Sequence, residues 1–148
     1  MYLSFEKMPD HSRVWVYQAN RSFSETEAQA ILDYLVPALT QWAAHGAGLN
    51  ASFEIRFQQV IVIAVDETVN AASGCSIDAS TRWFKEMGGS LGIDFFDRST
   101  AVVDGDELTL IPLTALKNNP LLDRSTQIIP LQTESLGAYR SGWLQRAD

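Results

Sequence analysis

Apolar residues at Leu49, Ala51, Phe53, Ile55 and Phe57 alternate with Asn50, Ser52, Glu54, Arg56 and Gln58. A period of two with one polar side predicts a half-buried strand. The next run, Val60 to Val65, is apolar at every position. Such a run suits a central strand covered on both faces. Gln58-Gln59 is a poor two-residue turn, so a hairpin here needs that loop or a longer one.

The same reading extends along the chain. Residues 1–13 form a polar, extended lead-in with Pro9-Asp10 as a turn signal. Val14 to Ala19 is rich in β-branched and aromatic residues and predicts the first strand. Ser24 followed by Glu27 is a capping-box signature. Ala28, Ile31, Leu32, Leu35, Val36, Leu39, Trp42 and Ala43 then share one helical face. Pro37 predicts a kink, or a break after Val36, and Gly46 a stop after His45. Asn70 to Gly74 reads as a loop. A second helix is expected from about Ser76, with Asp78 in its first turn and Ile77, Phe84, Met87 and Trp83 on its apolar side. Gly88-Gly89 is its expected end.

Ile93 to Arg98 reads as a strand at its start or as an irregular link. Ala101–Val103 and Leu108–Ile111 predict two strands, joined at the hairpin signal Asp104-Gly105. Leu113 to Lys117 suits a short helical turn. From Asn118 onward the chain reads as mostly irregular, with Ile128, Ile129 and Trp143 able to pack back on the body.

These elements describe a single α+β domain over residues 1–148, with an antiparallel-rich sheet and two main helices. The order fits a ferredoxin-like βαββαβ arrangement plus a hairpin and tail, among other α+β layouts. A plain ferredoxin-like sheet leaves one face bare. The apolar Val60–Val65 strand therefore predicts cover from the C-terminal tail or from a second subunit.

Several strings resemble those of an uncharacterised family of short bacterial proteins, mainly from the Bacteroidetes. They are Phe5 to Asp10, Ser12 to Arg21, Ser52 to Ile55, Ile61 to Glu67, Gly74 to Asp78 and Ile93 to Arg98. Members of that family often carry the automatic label "ABC transporter ATPase". The resemblance implies no established activity or catalytic residue. The label itself calls for a Gly-rich phosphate loop ending in Lys and Ser or Thr. Neither Gly46-Ala47-Gly48 nor Gly88 to Gly92 is followed by such a Lys, so no Walker A motif supports it.

Composition narrows the function classes. The 148 residues are 46% hydrophobic, a globular value. The net charge of −7 argues against nucleic acid, whose binding neutralises phosphates. No apolar run reaches the roughly 18 residues of a membrane span. The first residues lack the layout of a secretory signal, and one cysteine excludes an internal disulfide framework. The expectation is a cytoplasmic protein with no cofactor, no membrane partner, and a homo-oligomer as one candidate state.

Chemistry concentrates around one segment. Asp66 and Glu67 close a strand, and Ser73-Gly74-Cys75-Ser76 leads into a helix. Amides at a helix start favour a thiolate, so Cys75 is a candidate nucleophile. His45 would be its base and Asp66 or Glu67 the group that orients the imidazole, with Glu67, Ser73 and Ser76 also binding candidates. The competing reading makes Cys75 a small packed residue and His45 a helix-end complement to the dipole. His11 and His45 have no zinc spacing. Asp94, Asp97, Asp104 and Asp106 could meet a hard cation, but hairpin and surface roles are simpler, and no metal site is expected. Arg98 and Trp143 complete the binding candidates. Trp42 and Trp83 read as core, while Trp143 either anchors the tail or meets a partner. The reading that follows is a non-catalytic binding or self-associating module. Its alternative is a thiol-dependent hydrolase or transferase built on Cys75.

Overall fold

A computed structural model describes residues 1–44, 46–68, 70–117, 119, 126–133 and 135–146. The elements, in order, are β1 (Arg13–Gln18), α1 (Glu25–Gln41), β2 (Ala43–Ala44), β3 (Ala47–Gly48), β4 (Asn50–Arg56), β5 (Val60–Asp66), α2 (Gly74–Leu91), β6 (Thr100–Asp104), β7 (Glu107–Ile111), β8 (Gln127–Ile128), α3 (Leu136–Arg140) and β9 (Gln145–Arg146). Short 3-10 turns span Phe5–Lys7 and Leu113–Ala115. The architecture is mixed α+β.

Three antiparallel strands in the order β1–β5–β4 form the central sheet. The apolar β5 lies in the middle, as its lack of a polar side requires. Its alternation divides the interior into two cores. Ile61, Ile63 and Val65 face α1 and α2, where they pack with Tyr17, Phe53, Leu35, Leu39 and Phe84. Val60, Val62 and Ala64 face the opposite way, against Ala101, Ile129, Leu136, Tyr139 and Trp143. The second face is thus covered from within the chain, by a four-stranded sheet in the order β7–β6–β8–β9 and by α3.

Ser24 begins α1 as expected. Its hydroxyl accepts from the Glu27 N–H at 3.1 Å, and the Glu27 carboxylate accepts from the Ser24 N–H at 2.9 Å. The helix does not break at Pro37 but runs on to Gln41. The missing N–H would have bonded Asp33, and both residues are exposed, so water can serve the freed carbonyl. Gly46 is not the helix stop; it belongs to the turn between β2 and β3.

The hairpin between β4 and β5 has a three-residue loop, since Arg56 pairs with Val60. Phe57 and Gln58 take left-handed φ values of 55° and 52° to close it. The Asp104-Gly105 signal does make the β6–β7 hairpin.

Helix α2 starts earlier and ends later than its sequence signals. Ser73, not a residue near Ser76, is the cap. Gly88-Gly89 lies inside the helix, which ends at Gly92 in the left-handed region. Gly88 serves a close approach instead: a Cβ there would stand 2.5 Å from the Ile93 carbonyl oxygen.

The strand expected from Ile93 does not form. Residues 93–99 touch β1 through one parallel bridge, Gln18 to Phe96. Asp94 accepts from the Phe96 N–H and Asp97 from the Ser99 N–H, 2.9 and 2.8 Å away. Carboxylates that capture amides two residues ahead turn the backbone away from a ladder. In the ferredoxin-like order a fourth strand lies along β1. Here that place holds no strand among the described residues.

Candidate functional site

The missing strand leaves β1 as an edge, and its register shows which groups are left open. Arg13, Trp15 and Tyr17 stand opposite Val65, Ile63 and Ile61. The Ala19 N–H donates to the Gln59 carbonyl in the same phase. In an antiparallel ladder, alternate residues bond the partner and the others point away. The outward set is therefore Ser12, Val14, Val16 and Gln18. Both ends of that row are taken: Leu136 N–H donates to the Ser12 carbonyl at 2.9 Å, and Asp97 N–H to the Gln18 carbonyl at 3.1 Å. Between them, the N–H and C=O groups of Val14 and Val16 meet no backbone partner among the described residues.

This open stretch forms the floor of a groove of about 550 Å³. Its walls are Ile77 and Thr81 of α2 on one side and Leu131, Gln132 and Thr133 on the other. Between the occupied ends at Ser12 and Gln18, the edge offers room for about five residues of extended chain. Alternation gives the groove two chemically different sides. Trp15, Arg13 and Tyr17 project toward α2, and Val14 and Val16 toward Leu131. The Arg13 guanidinium lies 4.8 Å from the centre of the Trp15 ring. Thr133 places in this wall a hydroxyl that has no partner among the described residues.

The residues singled out from the sequence fall in several places. Cys75 is exposed in the first turn of α2. It lines a second cleft, of about 460 Å³, with Trp42, Trp83, Ser73 and Ser76. Ser73 and Ser76 form a reciprocal cap, each side chain serving the other's N–H. Trp42 donates its indole N–H to the Ser76 carbonyl at 2.8 Å, and its ring stands edge-on to Trp83 at 5.0 Å. Both tryptophans belong to the first core or pack on it.

Asp66 is engaged elsewhere. Its carboxylate accepts from the N–H and hydroxyl of Thr68, at 2.9 and 2.5 Å, and from His11 at 3.2 Å. The Thr68 bonds, then His11, hold this carboxyl below the usual aspartate range. Glu67 accepts from the Ala72 N–H at 2.8 Å and so closes the loop before α2. His45 lies outside the described residues. Arg98 is exposed in the link after α2. Trp143 is buried in the second core, beside Tyr139. Asp94 and Asp97 spend their carboxylates on turns, and Asp104 and Asp106 flank the β6–β7 hairpin. Among the described residues, no group of three or more His, Cys, Asp and Glu could hold a metal ion. None of their helices is long and apolar enough to cross a membrane.

The open amides of β1 escaped sequence reasoning. Val14 to Ala19 reads as an ordinary strand, and nothing local says that its neighbour is missing. The wall at Leu131 to Thr133 comes from a stretch that reads as irregular. Comparison with known protein families, curated proteins and solved structures finds no match for this chain.

Proposed function

We propose that this protein is a binding module that takes up an extended polypeptide strand along the open edge of β1. One observation carries the reading. The outward N–H and C=O groups of Val14 and Val16 line the floor of a groove, with the row closed at both ends by Leu136 and Asp97. An added strand satisfies unpaired backbone groups and draws specificity from side pockets. It would occupy the place that a fourth strand holds in a ferredoxin-like sheet. An exposed edge of this kind is otherwise a liability for uncontrolled pairing.

The thiol-dependent alternative has less support. Of the two acids expected to orient its base, Asp66 is engaged with Thr68 and His11 and Glu67 with the Ala72 N–H. The chain's one cysteine is a free thiol, in keeping with a reducing, cytoplasmic setting.

The test is amide hydrogen exchange with and without a heptapeptide of alternating valine and threonine. The Val14 and Val16 amides should exchange quickly in the free protein and slow on addition of peptide. Slowing confined to other elements, or none anywhere, would reject strand addition at β1.

A further inference from the structure

We infer that the strand taken up at β1 is an acidic, otherwise apolar segment of another protein, with a carboxylate opposite Arg13. This rests on the strand-addition reading above. Among the described residues that line the groove, Arg13 is the only charged one. Its guanidinium is laid over Trp15 and has no carboxylate partner among the described residues. Residues directly opposite on adjacent strands point to the same side of the sheet. A glutamate across from Arg13 would therefore lie on the α2 side, next to Trp15. The remaining ligand positions meet Ile77 and Thr81 on that side and Val14, Val16, Leu131 and Thr133 on the other, so they suit apolar side chains and threonine.

A second copy of the chain suits the edge less well. Antiparallel pairing of two β1 strands that matches Val14 with Val16 sets Tyr17 of the copy opposite Arg13 and supplies no acid. The sequence Arg13 to Gln18 contains no carboxylate in any register.

The experiment uses the full chain and three fluorescently labelled heptapeptides of alternating valine and threonine. They differ only at one position, which holds glutamate, glutamine or lysine. Binding is followed by anisotropy and located by amide exchange at Val14 and Val16. The glutamate peptide should bind about three- to fivefold more tightly than the glutamine peptide, and the lysine peptide most weakly. Arg13→Gln should erase that preference, so that the glutamate and glutamine peptides bind it alike. Added salt should reduce the preference in the same way.

Equal affinities for the three peptides, with Val14 and Val16 still protected, would overturn the charge inference and keep strand addition. Absence of binding by all three would overturn both. A solution mass twice the 16.4 kDa of one chain, reduced to one chain by Val16→Pro, would make a second copy the occupant and reject the proposal. That variant removes an outward N–H and no bond to β5, which is where proline is tolerated in a sheet. Circular dichroism on both variants checks that the fold is retained.

Discussion

Arg56 of β4 donates to the hydroxyl of Tyr139 in α3, 2.9 Å away. That hydroxyl in turn donates to Glu54, and the guanidinium also lies over the rings of Phe57, Tyr139 and Trp143. Burial first, and then the Glu54 carboxylate, push the Tyr139 phenol above the usual tyrosine range. The group stays a neutral donor at any ordinary pH. This cluster fastens α3 to the polar side of a strand that the sequence reads as half-exposed.

Removing that fastening has a predictable cost. Tyr139→Phe keeps the ring and leaves the half-buried Glu54 and Arg56 without their shared partner. Urea unfolding should show a loss of about 1–3 kcal/mol. Trp143→Ala removes the buried ring beside it and should cost more, about 3–5 kcal/mol. A Tyr139→Phe variant as stable as the parent would show that the cluster contributes no net stability.

Gly88 and Gly89 are neighbours in one helix with opposite expectations. A Cβ at Gly88 meets the Ile93 carbonyl oxygen at 2.5 Å, so backbone must move. Gly88→Ala should destabilise by about 1–3 kcal/mol. At Gly89 nothing lies within 4 Å of the added Cβ. Gly89→Ala should stabilise by about 0.5–1 kcal/mol, because alanine gives up less backbone freedom in a helix. Thermal melts of the pair decide it, and shifts in the same direction would contradict this packing.

Acid should unfold the protein partly through α1. The Arg21 side-chain bonds, and after them the Ser24 backbone, hold Glu27 at about 2, below its ordinary 4.5. A depressed carboxylate contributes stability above its unfolded value and loses it as pH falls through the folded one. The contribution is therefore complete above about 4.5 and lost toward about 2. Because the pair is near the surface, solvent screening reduces its size, and salt should shrink it further. Urea midpoints across that window should fall less steeply for Glu27→Gln than for the parent. Parallel curves would deny Glu27 this role.

Cys75 offers a direct check on the α2 cleft. Its side chain is exposed, so iodoacetamide should label it fully without denaturant. Trp42 and Trp83 line the same cleft, and their fluorescence should change on labelling. Protection until unfolding would mean that the cleft is closed in solution.

Local chemistry was readable where a few neighbouring residues decide the outcome. Ser24 with Glu27 located a helix start, alternation from Leu49 to Phe57 located a strand, and Val60–Val65 required cover on both faces. Elsewhere the deciding partner is distant. Gly88 looks like a helix stop until Ile93 is seen against it. Asp94 and Asp97 look like solvated or cation-facing acids until their carboxylates are seen holding the Phe96 and Ser99 amides. The groove is the extreme case. It depends on a strand that does not form and on a wall from Leu131 to Thr133, so its signal is spread over the whole chain.

The middle position of β5 also dictates an order of assembly. Its hairpin partner β4 lies just before it in the chain, and closing that three-residue loop is quick. Strand β1 must instead wait for residues far downstream, Gln18 for Val60 and Arg13 for Val65. Long-range pairing is slow because loop closure precedes any compensating contact. During synthesis β1 is thus the first strand made, and it stays unpaired until β5 has followed. Until then, both of its edges are open in the nascent chain, and the one left open at the end is where a ligand strand would enter.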